Sequence, residues 1–448
     1  MAKKINNDTG LSVHLLSLGC SKNLVESEMM AGLLAVFHFN LTENPQEADV
    51  IIVNTCAFIE AAKAETIAEI LRLAEYKNKG KCRLLLAIGC MGEKYRTEML
   101  EAMPELDEVM GNEYSRIAEI ISSKFEIKQQ APTLPEDLYL LRRRSTPPFT
   151  AYLKIADGCN NCCSYCLIPQ LKGHLQSRTQ EDILTEAHKL RAEGVQELVL
   201  IAQDLTRYGE DIDGQSHLPE LLDKLAKIDF PWIRLLYLYP TRISEDLLKV
   251  MSANANICHY LDLPMQHING GVLAKMNRDG DRGQITYELN LIKQYLPDCA
   301  LRTTVMVGFP TEDKAAFAEL LDFLSEGYFT WTGVFAYSRE ADTLAYGFDH
   351  QCRRETKERR VEKTSRLLAQ VSAENLQNYL GRELIVLVEE QDNSVSEGEY
   401  RYVGRSQYQA PEVDGVIYFS SFVPLVVGSF VKVNITSTDI YDLIGEAL

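Results

Sequence analysis

The stretch "AYLKIADGCNNCCSYCLIP", residues 151–169, decides how this chain is read. A mostly apolar run with the look of a strand leads into four cysteines, Cys159, Cys162, Cys163 and Cys166, within eight residues. The thiols therefore fall just past the C-terminal end of a strand. More strand-like runs follow: "ELVLIAQD", "IRLLYLYP", "HYLDLPMQ", "LRTTVMVGFP" and "GVFAYS". Helical patterns such as "EDILTEAHKLRAEG" and "DKAAFAELLDFLSEG" separate them. Six strand–helix units in a row predict a (β/α)6 barrel or partial barrel, with its active groups at the C-terminal strand ends. The cysteine loop follows the first strand and lies on that face.

Upstream, residues 11–120 repeat one unit three times. "VHLLSLGC" ends at Cys20, "DVIIVNTC" at Cys56 and "RLLLAIGC" at Cys90, each strand-like and each followed by a helical pattern. Near-continuous apolar strands alternating with helices predict a parallel sheet covered by helices. Ligands bind at the C-terminal strand edge of such sheets, and parallel strands bring all three cysteines to that edge. Downstream, "ETKERRVEKTSRLLAQVSAENLQNYLG" reads as a charged helix. From Glu383 onward, short strands ("LIVLVEE", "GVIYFS", "FVKVNI") between turn residues predict a small antiparallel barrel of the OB type. The domains expected are 11–127, 145–377 and 380–448, with "QQAPTLPEDLYLLRRRSTPP" as a linker between the first two.

The 448 residues are 46% hydrophobic and 25% charged, as in an ordinary globular protein, and no apolar run nears the ~20 residues of a membrane span. "MAKKINNDTG" lacks the apolar stretch of a signal peptide, so a cytoplasmic location with reduced thiols is expected. Eleven cysteines there read as metal ligands, nucleophiles or core fillers rather than disulfides. The formal charge of −18 argues against a phosphate-tracking surface and suits a basic protein partner. Residues 383–448 hold 11 acidic and 3 basic side chains, a net of −8.

The pairs Cys159/Cys162 and Cys163/Cys166 have zinc-ribbon spacing, but two such pairs normally stand 15 or more residues apart so that the chain can close a tetrahedron. Here they abut. A buried structural role would place the thiols on an apolar face, and this segment is polar. The informative spacing is Cys159-x3-Cys163-x2-Cys166, with Cys162 as an extra thiol. Three thiolates on a [4Fe–4S] cubane leave one iron open, as a catalytic site requires. Cys20, Cys56 and Cys90 together suggest a second cluster, while Cys82, Cys258, Cys299 and Cys352 have no such framing and read as structural.

The spacing C-x3-C-x2-C after the first barrel strand resembles the radical S-adenosylmethionine superfamily. Two cysteine trios, such a barrel and a C-terminal OB-like domain of the TRAM kind are similar, from end to end, to the methylthiotransferase family. The stretches "LGCSKNLVESE", "NTCAFI", "DGCNNCCSYCLIP", "LIAQDLTRYG", "YLDLPMQH", "MNR", "LRTTVMVGFPTE" and "GVFAYS" carry the likeness. "GRSQYQAPEVDGVIYF" is similar to the branch that modifies ribosomal protein uS12 rather than to the transfer-RNA branches. Two departures stand out: "QSR" at Gln176–Arg178, where relatives often have a doubled arginine, and Thr311 in place of a usual glycine.

The resemblance implies two [4Fe–4S] clusters and S-adenosylmethionine as cofactors. Cys159, Cys163 and Cys166 would hold the cluster that cleaves S-adenosylmethionine. Cys20, Cys56 and Cys90 would hold the cluster that supplies the methylthio sulfur. Gly194 and Glu197 fall where the family often binds the amino end of S-adenosylmethionine. The implied reaction is methylthiolation of an aspartate β-carbon in uS12, free or on the small ribosomal subunit. An electron donor and a sulfur source would be further partners, and no membrane is needed. Methylthiolation of a transfer-RNA adenosine is the alternative within the family. An iron–sulfur electron carrier without catalysis is the alternative outside it, and turnover of S-adenosylmethionine separates that class from both enzymes.

Overall fold

The first sheet follows from residues that alternate between two cores. Strands β1 (Ser12–Ser17), β2 (Asn40–Leu41), β3 (Val50–Thr55), β4 (Leu84–Gly89) and β5 (Glu108–Val109) pair in the order β2-β1-β3-β4-β5, all parallel. Val50, Ile52, Leu84, Leu86 and Ile88 face one core, whereas Ile51, Val53, Leu85 and Ala87 face the other. Period-two side chains with helices on both faces explain why "VIIV" and "LLLAI" are apolar at every position. The computed structural model describes residues 10–127, 132–396 and 399–448.

The six barrel strands lie where the sequence places them. They are β6 (Thr150–Lys154), β9 (Glu197–Ile201), β10 (Trp232–Leu235), β11 (Ile257–Asp262), β12 (Ala300–Val307) and β13 (Trp331–Ala336), in the order β13-β12-β11-β10-β9-β6. The pairings from β9 through β13 are parallel. A short antiparallel pair, β7 (Ala156–Asp157) with β8 (Gln176–Ser177), brackets the cysteine loop. The C-terminal barrel closes with five strands, two more than the three stretches read from the sequence: β14 (Glu383–Ser396), β15 (Glu399–Ser406), β16 (Ile417–Ser421), β17 (Phe430–Thr438) and β18 (Leu443–Ala447). Its order is β14-β15-β16-β18-β17, and one pair, β16 with β18, is parallel in an otherwise antiparallel barrel.

The chain divides into two units. One holds Met1–Pro147, Tyr152–Asn161 and Cys166–Lys189, and the other holds Pro148–Ala151, Cys162–Tyr165 and Leu190–Leu448. The division differs from the three domains read from the sequence, since residues 152–161 and 166–189 belong with the first unit. The expected linker also differs. Its residues 129–131 lie outside the described residues. Beyond them, Leu134, Leu138, Tyr139 and Leu141 pack on the first core, and Leu141 O would lie 1.8 Å from a Cβ on Gly32. Arg142 is buried between Glu28 (2.6 Å) and Glu186 (2.5 Å). Proline and charge suggested a tether, but the segment carries its own apolar face and a buried ion pair.

The backbone at Thr311 explains the glycine usual in relatives, and nothing in the structure explains the threonine. It follows β12 with φ +79°, in the left-handed region that glycine enters freely and a β-branched residue does not. An L-residue there costs roughly 1–2 kcal/mol, while glycine would cost about 0.4–1 kcal/mol through the freer unfolded chain. Thr311 is exposed, so little packing would be lost. Thr311→Gly is therefore expected to raise stability by up to about 1 kcal/mol, read as a higher urea midpoint. A lower midpoint would show that the threonine side chain contributes more than its backbone costs.

Candidate metal centres

The N-terminal trio follows three neighbouring strands, β1, β3 and β4. Cys20 caps the helix Ser21–Val36, Cys56 follows Thr55 at the end of β3, and Cys90 opens the helix Cys90–Ala102. Gly19 has φ +89°, and a Cβ on it would meet Cys56 Sγ at 2.9 Å. The loop bearing Cys20 can approach Cys56 only because residue 19 is glycine.

The thiols lie close enough to feel one another's charge. Burial pushes the Cys56 thiol up, with Cys20 adding to the rise. Burial likewise pushes Cys90 up to about 12, opposed by Lys172 and reinforced by Glu26, Cys56 and Cys20. The raised thiols of Cys56 and Cys90 are donors that a cationic iron–sulfur core would satisfy. Among the described residues, no three His, Cys, Asp or Glu side chains are gathered to hold a single metal ion. In a cubane each thiolate takes a different iron, so the donors need not converge on one point.

Polar residues that sequence reasoning passed over hold the trio. Asn23 Nδ2 donates to Leu18 O and to Thr55 O, both at 3.0 Å. Asn54 Nδ2 donates to Asn23 O and to Ser27 Oγ, both at 2.9 Å. Thr55 Oγ1 donates to Ile88 O (2.7 Å) and accepts from Met91 N (3.1 Å), joining the ends of β3 and β4. Lys172 Nζ donates to Glu26 Oε2 (2.9 Å), Asn112 Oδ1 (3.0 Å) and Tyr114 Oη (2.8 Å), and Lys154 Nζ donates to Glu26 Oε1 (2.7 Å). A local signal existed: "NT" closes an otherwise apolar strand just before Cys56, and buried polar groups demand partners. The partners of Glu26 lie 128 and 146 residues away and left no local trace.

In the barrel loop, each thiol of the Cys159-x3-Cys163-x2-Cys166 set accepts an N–H···S hydrogen bond. Within the first unit, Asn161 N donates to Cys159 Sγ and Ile168 N to Cys166 Sγ, both at 3.4 Å. Within the second, Arg278 Nη1 donates to Cys163 Sγ at 3.8 Å. Gly158, at φ +69°, leads into the loop where a Cβ would lie 2.1 Å from His174 O. Cys162 is exposed, and its carbonyl accepts from Asn277 Nδ2 at 2.7 Å. Donors aimed at sulfur stabilise thiolate charge, as each iron–sulfur ligand needs.

Glu197 requires a correction. Glu197 opens β9, at the strand end opposite the one where ligands gather. Its carboxylate has no solvent exposure and meets Arg234 Nε at 2.7 Å and Arg405 Nη2 at 2.6 Å. Burial alone would raise its pKa, but Arg405 and Arg234 hold it down to about 2. A carboxylate occupied on both oxygens by buried guanidinium groups is not available to a cofactor amine. Gly194, with φ +93°, follows the helix Gln180–Ala192 and donates to Arg191 O, as a helix-ending glycine does. The local pattern suggested a cofactor segment, and the distant arginines decided otherwise.

Two acids of the C-terminal barrel also face inward. Asp414 has a fully covered side chain 3.3 Å from Arg302 Nε, and Glu389 pairs with Arg405 at 2.6 Å. The Asp414–Arg302 pair ties the small barrel's unit to β12, whereas the Glu389–Arg405 pair lies between β14 and β15.

A six-stranded sheet with a three-cysteine loop after its first strand defines a radical S-adenosylmethionine enzyme. The family model described as the Radical SAM superfamily matches residues 153–324, the one described as uncharacterized protein family UPF0004 matches 12–111, and the TRAM domain matches 380–448. The fold is shared with the radical S-adenosylmethionine methyltransferase TsrM from Kitasatospora setae. That likeness has a TM-score of 0.54 at 12% identity and covers 87% of this chain and 77% of the other. The ribosomal protein uS12 methylthiotransferase RimO of Desulforamulus reducens is 44% identical over 442 residues, covering 97% of this chain and 99% of the relative. The RimO of Clostridioides difficile is 44% identical over 447 residues, covering 98% and 99%. The chain belongs to the RimO family of radical S-adenosylmethionine methylthiotransferases.

Proposed function

We propose that this chain attaches a methylthio group to the β-carbon of an aspartate in ribosomal protein uS12, in the cytoplasm. The observation that carries this reading is full-length likeness to proteins named uS12 methylthiotransferase, with both cysteine trios at strand ends. Cys159, Cys163 and Cys166 would hold the cluster that takes S-adenosylmethionine. A cluster so bound supplies the electron that splits S-adenosylmethionine and so gives access to an unactivated C–H bond. An acid or base finds no handle on such a bond, which is the physical reason for the radical machinery. Cys20, Cys56 and Cys90 hold the second cluster, with the Asn23–Asn54–Thr55 network fixing their loops.

The acidic C-terminal barrel docks the protein substrate. Glu383, Glu390 and Glu412 are exposed there and attract a basic ribosomal protein while repelling a phosphate backbone. An electron donor and a sulfur source complete the reaction. No helix among the described residues is long and apolar enough to cross a membrane.

The test is mass spectrometry of uS12 and of bulk transfer RNA from cells lacking the chain, and from the same cells with it restored. Loss and return of the methylthio mass on uS12 is the expected result. Loss on transfer RNA, with uS12 unchanged, would replace this substrate with adenosine.

A further inference from the structure

Arg278 lies outside the cysteine loop, yet of the three donors to its thiols it is the charged one. Its guanidinium does three things at once. Nη1 donates to Cys163 Sγ at 3.8 Å, Nη2 donates to Pro264 O at 2.7 Å, and its plane lies over the Tyr239 ring, 4.3 Å from the centroid. Tyr239 is in turn held by Asp279 N, which donates to its hydroxyl at 3.2 Å. Pro264 follows β11 and Tyr239 follows β10, so the arginine joins two strand ends to one thiol. A rigid fork can reach two acceptors while stacking on a ring, which a lysine ammonium cannot do.

The surrounding segment straps the same part of the loop by other bonds. Ser164 N donates to Met276 O at 2.9 Å, Ser164 Oγ to Lys275 O at 2.7 Å, and Asn277 Nδ2 to Cys162 O at 2.7 Å. Three straps already hold residues 162–164 in place. The bond to sulfur is therefore not needed for position, yet a permanently charged donor makes it.

We propose that Arg278 tunes the reduction potential of the cluster on Cys159, Cys163 and Cys166 through its charged N–H···S bond to Cys163. This rests on the reading that those three cysteines hold a cluster. Reduction adds negative charge that is shared with the thiolate sulfurs, and a cationic donor at one sulfur stabilises the reduced form. Arg278 thus makes the cluster easier to reduce. It is proposed as a tuning residue that acts through Cys163.

The experiment is an EPR-monitored redox titration of the full-length, cluster-loaded protein, following the signal that changes when S-adenosylmethionine is added. Wild type is compared with Arg278→Gln, Arg278→Lys and Ser164→Ala. Arg278→Gln is expected to weaken reduction about tenfold, a fall of about 59 mV for one electron. Arg278→Lys is expected to lie between it and wild type. Ser164→Ala removes a strap and no charge, and is expected to keep the wild-type potential. Arg278 variants with full iron and a wild-type potential would overturn the proposal. So would failure of both Arg278 variants to hold the cluster, because the residue would then be a strap. If only the glutamine variant fails to load, the lysine variant decides by its potential. Wild-type protein without any signal responsive to S-adenosylmethionine would instead overturn the underlying assignment of the cysteines.

Discussion

Alanine at Cys159, Cys163 and Cys166 together is expected to halve the iron of anaerobically reconstituted protein, from about eight to about four per chain. Formation of 5′-deoxyadenosine from S-adenosylmethionine should disappear. Cleavage disappears because, on this reading, the cluster on Cys159, Cys163 and Cys166 is the one that takes S-adenosylmethionine, and the variant has no thiolate left to hold it. Alanine at Cys20, Cys56 and Cys90 should also leave about four irons, but some 5′-deoxyadenosine should still form while methylthio transfer to uS12 stops. The two triple variants separate the roles, since the extent of iron loss is the same and only the chemistry differs. Iron analysis, product chromatography and mass spectrometry of uS12 read all three outcomes. Loss of cleavage in a folded, iron-bearing variant of Cys20, Cys56 and Cys90 would show the roles wrongly divided. One zinc and no iron in the wild type would end the cluster reading.

Glu197→Gln is expected to destabilise the protein by about 3–5 kcal/mol, the usual cost of removing one partner from a buried ion pair. The amide leaves Arg234 and Arg405 buried without their shared carboxylate, while Glu389 still partners Arg405. The pH dependence follows from the sign of the shift. The folded pKa of about 2 lies below the ordinary carboxylate value of about 4.3, so the stabilisation is complete above that value and is lost as pH falls towards 2. Urea titrations at pH 7 and pH 3 should show a difference between wild type and variant that shrinks at the lower pH. Affinity for S-adenosylmethionine in the folded variant should be unchanged. Wild-type stability with weakened S-adenosylmethionine binding would return Glu197 to the cofactor.

Sequence alone determined the strand–helix alternation, the six barrel strands and both cysteine trios. These are local facts. An apolar run, a period of two or 3.6 and a cysteine at the strand end are all written within about 20 residues, and parallel strands carry such ends to one edge without further information.

Tertiary structure decided what depended on distant partners. Glu197 looked like a cofactor residue until Arg234 and Arg405, 37 and 208 residues away, took both its oxygens. Asp414, one of the eleven acids counted in residues 383–448, has its side chain covered beside Arg302. The stretch around Leu141 and Arg142 read as a tether until Gly32 and Glu28 received it. Arg278 carried no signal beyond its place in "MNR", because Cys163 lies 115 residues before it. A buried charge is stable only beside its counter-charge, and no local pattern records which distant residue supplies one.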